Sequence, residues 1–261
     1  EVGISSGGFI NAVTRSGGNK FSGLFQVLYN NEDFSTVVIP EDQLKSMGLG
    51  KPAVAIFNYD LSAGFGGPIF KDKLWFYTNG RYGRREDRSG FVPWTSPLGV
   101  SYDEYNQKTW NWGGFGKLTF QLRKDLKFSF NANARENYRN TRSSGLFTPF
   151  DCHYHDDPWG NYNAFGVATW LIDDNTFLEV RGGWLEVSAM LTIVNTEEKS
   201  GTEINYDSYT GYYFGTGYRI NEWIGRPTTQ ASVHLSRFQD NLLGGDHEFK
   251  AGLELNTVAC N

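Results

Sequence analysis

Between Phe57 and Phe65 apolar and polar positions alternate without a break. Phe57, Tyr59, Leu61, Ala63 and Phe65 fall on one side, and Asn58, Asp60, Ser62 and Gly64 on the other. The run from Leu126 repeats the pattern, with Leu126, Phe128, Phe130, Ala132 and Ala134 set against Lys127, Ser129, Asn131, Asn133 and Arg135. A period of two is that of a strand with one apolar face; a helix would need apolar residues at i, i+3 and i+4. The same reading applies to Phe21–Tyr29, Leu74–Tyr82, Trp110–Phe120, Tyr162–Trp170, Leu178–Trp184, Val233–Leu235 and Phe249–Leu255. About nine strands follow, with polar or charged residues such as Glu179, Arg181, His234, Lys250 and Glu254 on the face opposite the apolar one.

The connections add a second regularity. Short turns are expected at 70–73, 123–125, 173–175 and 240–246, and long connections at 31–53, 87–108, 140–160 and 195–228. Short and long alternate along the chain, as in outer-membrane barrels with tight periplasmic turns and long extracellular loops. A β-sandwich has no reason to place its long loops at every second connection. Aromatic residues flank both kinds. Phe70, Trp75, Phe120, Trp170 and Phe177 lie near short turns, and Trp110, Trp112, Trp159, Tyr162 and Trp184 near the other strand ends. Such rings suit the two edges of a membrane, where one side of the ring is buried and the polar edge stays wet. In a soluble all-β domain the same rings would be core.

Composition agrees with strands and turns. The 261 residues include 31 Gly, 20 Phe, 14 Tyr and 8 Trp, while hydrophobic residues make up only 39% and mean hydropathy is −0.47. A net charge of −5 disfavours a nucleic-acid surface. No apolar run approaches the roughly 18 residues of a spanning helix. Two cysteines provide no disulfide framework. The opening Glu1-Val-Gly-Ile-Ser-Ser-Gly-Gly-Phe9 reads as the middle of a longer protein, so a fragment or a processed product is expected.

The stretch from Gly7 to Gly23, GGFINAVTRSGGNKFSG, resembles the end of the plug domain in TonB-dependent outer-membrane receptors, where a similar segment leads into the first barrel strand. Gly66–Phe76, GGPIFKDKLWF, resembles the first periplasmic turn of the Oar-like branch of that family, and Leu243–Glu254 a later turn and strand. The resemblance implies an all-β chain: residues 1–19 ending a plug, and residues 20–261 forming nine or ten antiparallel strands of a barrel of about 22. It also implies a Gram-negative outer membrane with its lipid as surroundings. A TonB-type energising complex would act through plug regions outside this chain. The expected activity is energy-coupled uptake of a large or scarce solute such as an oligosaccharide, a peptide or a metal chelate. A structural or adhesive surface β-protein without transport is the alternative, and a soluble carbohydrate-binding β-domain a third reading.

Candidate chemistry is sparse. Cys152, His153 and His155, followed by Asp156 and Asp157, are expected in a long loop and could ligate zinc or copper, or be solvated loop residues. The acid pairs Glu41–Asp42 and Asp103–Glu104 are adjacent in sequence, which does not provide the facing geometry of glycoside hydrolysis. Gly211-Tyr-Tyr-Phe-Gly-Thr-Gly217 lacks the Lys-Ser/Thr end of a phosphate loop. No catalytic residues and no cofactor are expected. Loop aromatics Trp94, Tyr102, Tyr105, Tyr206, Tyr209, Tyr212, Tyr213 and Trp223 either line a ligand vestibule or pack the loops together. Arg81, Arg85, Arg135 and Arg181, on polar strand faces, could steer anions. The topology places Cys152 and Cys260 at the same strand ends. A disulfide between them would have to bring Cα atoms within about 7 Å across several strands.

Overall fold

The structure is a computed structural model that describes residues 14–36, 39–47, 54–142, 148–152, 154–193, 204–215 and 222–259. In chain order its strands are β1 (Ser22–Asn31), β2 (Ala55–Phe70), β3 (Leu74–Arg88), β4 (Trp94–Thr95), β5 (Ser101–Tyr102), β6 (Asn106–Arg123) and β7 (Leu126–Arg142). They continue as β8 (Tyr154–Asp173), β9 (Thr176–Ile193), β10 (Asn205–Tyr206), β11 (Tyr213–Phe214), β12 (Glu222–Gly225), β13 (Thr228–Leu242) and β14 (Gly245–Val258). One short helix, α1 (Glu41–Ser46), follows Pro40 in the first long connection. Nine long strands form a single antiparallel sheet in the order β1-β2-β3-β6-β7-β8-β9-β13-β14. The small strand β12 pairs with β9 just beyond β13, separated from it by Arg226 and Pro227. Pro227 has no N–H to offer a ladder, which interrupts the strand there.

Consecutive long strands are neighbours throughout, so the four short turns lie at one end of the sheet and the four long connections at the other. The short turns contract to Lys71–Lys73, Lys124–Asp125, Asp174–Asn175 and Leu243–Gly244. Asp72 takes a positive φ of 62° in the first of them, a conformation that an aspartate tolerates better than most residues. Among the described residues the outer edges of β1 and β14 do not pair with each other.

Residues paired across an antiparallel ladder point to the same side. The register places the apolar positions of all nine strands on one face. One row runs Phe25, Ala63, Gly80, Gly114, Ala134 and Tyr162, and a lower row Leu118, Phe130, Gly166, Gly182, Ala231 and Leu255. The opposite face holds Ser129, Val167, Arg181, Ser232 and Glu254 in one row, and Ser62, Arg81, Gly113, Arg135 and Asn161 in another. Among the described residues nothing covers the apolar face: Phe25 is 70% exposed, Phe130 51% and Leu253 81%.

The register corrects part of the aromatic pattern. Trp75 pairs with Pro68 and Thr119, and Phe177 with Leu171 and Ser236, so both rings belong to the polar face. The sequence spacing to the turn does not reveal which face a ring takes; parity along the strand does. Trp110, Trp112, Tyr162 and Trp184 do lie on the apolar face at the long-loop end. There the Glu136 carboxylate accepts hydrogen bonds from Trp112 Nε1 at 3.0 Å and the Tyr162 hydroxyl at 3.1 Å. At the short-turn end Trp170 Nε1 donates to Asp125 at 3.1 Å. The side chain of Trp159 lies outside the described residues.

Ahead of β1, residues 14–20 lie along the polar face and are fixed at the first short turn. Asn19 Oδ1 accepts from the Asp72 backbone N–H at 2.9 Å and from Trp75 Nε1 at 2.7 Å, while its amide donates to Asp72 Oδ1. Lys117 Nζ reaches across from β6 to Thr14 Oγ1 at 2.9 Å. Gly17 is pressed against the sheet so closely that a Cβ would collide with the Phe76 carbonyl oxygen and lie 2.9 Å from that of Gly67. Gly17→Ala is therefore expected to weaken the docking of this segment by ~1–3 kcal/mol. Amide exchange at Arg15–Gly18 should speed up while the β2–β3 ladder stays protected. Unchanged exchange at those residues would show that the segment yields to a Cβ.

Candidate functional site

Three of the four long connections converge into one cap. Phe91 and Tyr102 come from the β3–β6 connection, Cys152 from β7–β8 and Tyr212 from β9–β13. Each of these four is at most 7% exposed, and Val92, Trp94, Val100, Tyr105, Ile204 and Phe214 pack around them. The only other buried hydrophobic among the described residues is Leu44 of α1.

The rings interlock. Tyr212 meets Trp94 edge-on at a centroid distance of 4.9 Å and Phe91 at 5.3 Å, and Trp94 stacks on Tyr102 at 6.1 Å. Trp94 and Tyr102 are directly opposed in the β4–β5 hairpin, whose turn places Gly99 at a φ of 79°. Gly215, Tyr102, Cys152 and Tyr105 are joined by hydrogen bonds inside the cap. Gly215 donates its N–H to the Tyr102 hydroxyl at 2.9 Å, and its carbonyl accepts from the Cys152 thiol at 3.2 Å. Tyr105 hydroxyl donates to the Thr148 carbonyl at 3.1 Å, and its ring packs on Phe150 at 5.6 Å. Burial pushes the phenol pKa of both Tyr105 and Tyr212 above the usual tyrosine value.

The expected ligand aromatics therefore divide. Tyr102 and Tyr212 are spent on the cap core, and Trp94 and Tyr105 pack at its edge. Tyr213, adjacent to Tyr212 but of opposite parity, faces solvent beside Tyr206, with ring centroids 5.0 Å apart. These two are cross-strand partners in the β10–β11 hairpin. The turn is locked by Asp207, which accepts from the Tyr209 N–H at 3.0 Å and the Thr210 hydroxyl at 2.6 Å. Gly211 closes it with a φ of 77° and an N–H donated to the Asp207 carbonyl at 2.8 Å. Trp223 is in β12, opposite Met190, and its side chain lies outside the described residues.

The candidate arginines share the polar face but are not brought to one point. Arg81 binds both carboxylate oxygens of Asp60 through Nε, at 3.0 and 2.8 Å. Arg85 pairs with Asp87 at 2.7 Å, and Arg181 pairs with Glu179. Arg135 is exposed, opposite Gly113 and Asn161. Beside Arg181 an open groove of about 630 Å³ runs along β9, β13 and β14, lined by Glu179, His234, Lys250 and Glu254. Its cations and anions alternate, so it offers no field of one sign.

The Cys/His cluster is corrected in place. β8 begins at Tyr154, so His155, Asp156 and Asp157 belong to a strand rather than a loop. Pro158 is accommodated where the ladder shifts register, between Asp157 and Asn161 against β9. Among the described residues no group of three His, Cys, Asp or Glu side chains comes together. His153 and the side chain of His155 lie outside the described residues. Cys152 is a buried thiol turned into the cap, and Cys260, its expected disulfide partner, also lies outside them.

Sequence reasoning missed Phe91 and Asp207. Phe91 follows Gly90 without any periodic context. Asp207-Ser-Tyr-Thr-Gly211 does carry a turn signal, an aspartate followed by a glycine suited to positive φ.

No known family profile matches the chain, and no solved structure matches it. Among characterised proteins, the TonB-dependent transporter Oar of Myxococcus xanthus is 39% identical over 87 residues. The match covers 30% of this chain and 7% of that protein. This is a distant, partial similarity to a transport protein, alongside an antiparallel all-β fold.

The Thr210 hydroxyl and the Tyr209 N–H hold the Asp207 carboxyl below the ordinary value of 3.8. A depressed acid stabilises the folded turn fully above its ordinary pKa and loses that contribution as pH falls through the depressed one. The amides of Tyr209 and Gly211 should therefore exchange faster, beyond the intrinsic pH effect, as the solution is acidified below the ordinary aspartate range. Asp207→Ala should remove that dependence; a turn that stays pH-sensitive in this variant would place the titrating group elsewhere.

Proposed function

We propose that this chain is the barrel-forming part of a TonB-dependent outer-membrane transporter, with residues 1–19 ending the plug and residues 20–261 forming strands of the barrel wall. The apolar face meets lipid, the polar face lines the lumen, and the long connections with their cap are extracellular. The parent protein takes up a large or scarce solute, driven through a TonB-type complex that engages the plug. No catalytic step belongs to this chain in that reading.

The observation behind the reading is the bare apolar face. A sheet in which Phe25, Phe130, Leu253 and their rows stay exposed has no core of its own on that side, whereas a soluble sandwich would cover it with a second sheet. The apolar band also has the right height. From Tyr162 to Trp170, and from Trp112 to Phe120, an aromatic-bounded run takes nine residues, about 30 Å of strand before tilt. A tilted membrane strand needs ~9–11 residues. Charged or polar partners mark both ends of the band, Glu136 at one and Asp125 at the other. The partial match to the transporter of Myxococcus xanthus supports the same assignment.

Topology is tested by labelling. Ser46, on the exposed side of α1, and Asp125, in a short turn, lie at opposite ends of the sheet. In whole cells making the full-length parent protein, Ser46→Cys should gain reactivity towards an impermeant maleimide and Asp125→Cys should not, relative to the parent without the added thiol. The reverse pattern inverts the assignment, and equal labelling rejects a membrane between them. The lipid face is tested separately. Phe130→Arg should cost ~2–4 kcal/mol in a bilayer and Asn131→Arg, one residue on and on the other face, much less. Equal costs in folding titrations would reject the two-faced wall.

A further inference from the structure

We infer that the outer face of the β10–β11 hairpin is a binding site for a neutral oligosaccharide. This deepens the transport reading by giving its cargo a class, and rests on that reading only for the side of the membrane on which the hairpin lies. The hairpin is two-sided. Its inner side, Tyr212 and Phe214, is anchored in the cap on Trp94. Its outer side presents Tyr206, 57% exposed, and Tyr213, 36%, with Tyr209 at the tip 96% exposed.

Tyr206, Tyr209 and Tyr213 stand in water outside the buried cluster, which the inner residues complete. The backbone that carries them is tied down. The Asp207 carboxylate, the positive-φ Gly211 and the two backbone bonds across the turn, Asp207 N–H to Tyr212 O and Gly211 N–H to Asp207 O, fix the tip. A tyrosine loses little side-chain entropy on binding, and a fixed backbone removes most of the rest.

Charge selects the ligand. Between Ile204 and Gly215 the only ionisable group besides tyrosine is Asp207, and both of its oxygens are committed to the turn. Within Ile204–Gly215 the surface therefore offers aromatic faces and phenolic hydroxyls, with the turn-bound Asp207 carboxylate as its one charge and no cation. The electron-rich ring faces suit the C–H surfaces of a sugar ring, and the hydroxyls suit its rim. An anionic metal chelate or an acidic peptide would find no cation in this segment.

The test is calorimetry on the purified full-length parent protein in detergent, with maltohexaose, cellohexaose, xylohexaose and mannohexaose as neutral probes and hexagalacturonate as the acidic one. At least one neutral hexasaccharide should bind. Tyr209→Ala and the double variant Tyr206→Ala/Tyr213→Ala should each weaken it about tenfold, and Tyr209→Phe, which keeps the ring, should change it little. Unchanged exchange protection of the Gly215 amide, which donates to Tyr102 inside the cap, would establish that the cap is intact in each variant. No binding of any neutral probe overturns the site, as does binding that is indifferent to the alanine substitutions. Equal or tighter binding of hexagalacturonate overturns the neutral-sugar assignment. None of these outcomes touches the membrane reading, which stands or falls on the labelling of Ser46→Cys and Asp125→Cys.

Discussion

Everything in this fold depends on register. Side chains alternate with a period of two, so a slip of one residue between any two neighbouring strands would send one strand's apolar set to the polar face. Eight ladders in sequence hold the same parity, from Phe25 opposite Ala63 to Val233 opposite Leu253. The short turns enforce it. Each joins neighbouring strands through at most three residues, and the register shifts of the β2–β3, β6–β7, β8–β9 and β13–β14 ladders include one next to the turn, between Pro68 and Phe70, Gln121 and Arg123, Leu171 and Asp173, or Gln239 and Leu242. Irregularity at the turn end absorbs the strain of closure and leaves the band of apolar rows regular.

The same constraint explains the distribution of glycine. On the apolar face Gly80, Gly114, Gly116 and Gly182 have no neighbour within 4 Å of where a Cβ would sit, so close packing does not require them. On the polar side close approach does. A Cβ on Gly64 would lie 2.6 Å from the Tyr77 hydroxyl, and one on Gly252 2.6 Å from His234 Nδ1. Bulky polar-face side chains lean over their neighbours' backbones, and a neighbour without a side chain makes the room. The apolar rows are thinned by small residues between two aromatic levels, while the polar face gains reach for Tyr77 and His234.

How much of this could be read from the residues divides along the line between periodic and non-periodic structure. The nine strands, their faces and the alternation of short and long connections are properties of local pattern, and the chain displays each of them several times over. Faces of individual rings near turns were less legible. Trp75 and Phe177 look like interface aromatics by proximity and are polar-face residues by parity. The strand across Tyr154–Trp159 was hidden because Pro158 reads as a breaker, although a register shift accommodates it. The cap was not legible at all. Phe91, Tyr102, Cys152 and Tyr212 meet across separations of up to 121 residues, and no local rule couples them. Even the useful signal in the hairpin, that Tyr212 and Tyr213 have opposite fates, requires knowing that two-residue strands flank Asp207–Tyr212.

The cap also changes what a long loop means here. Long connections at the end of an antiparallel sheet are ordinarily free to vary because each returns to the strand beside the one it left. Here the β3–β6, β7–β8 and β9–β13 connections share one core, so ordering any of them lowers the cost of ordering the others. Gly215 makes this concrete. Its N–H donates to the Tyr102 hydroxyl and its carbonyl accepts from the Cys152 thiol, joining all three connections at one residue. A loop tied in this way holds the Asp207–Gly211 turn more firmly than an untied connection would. The aromatic core is thus the scaffold and the hairpin tip its exposed product, and the boundary between them runs through the backbone between Tyr212 and Tyr213.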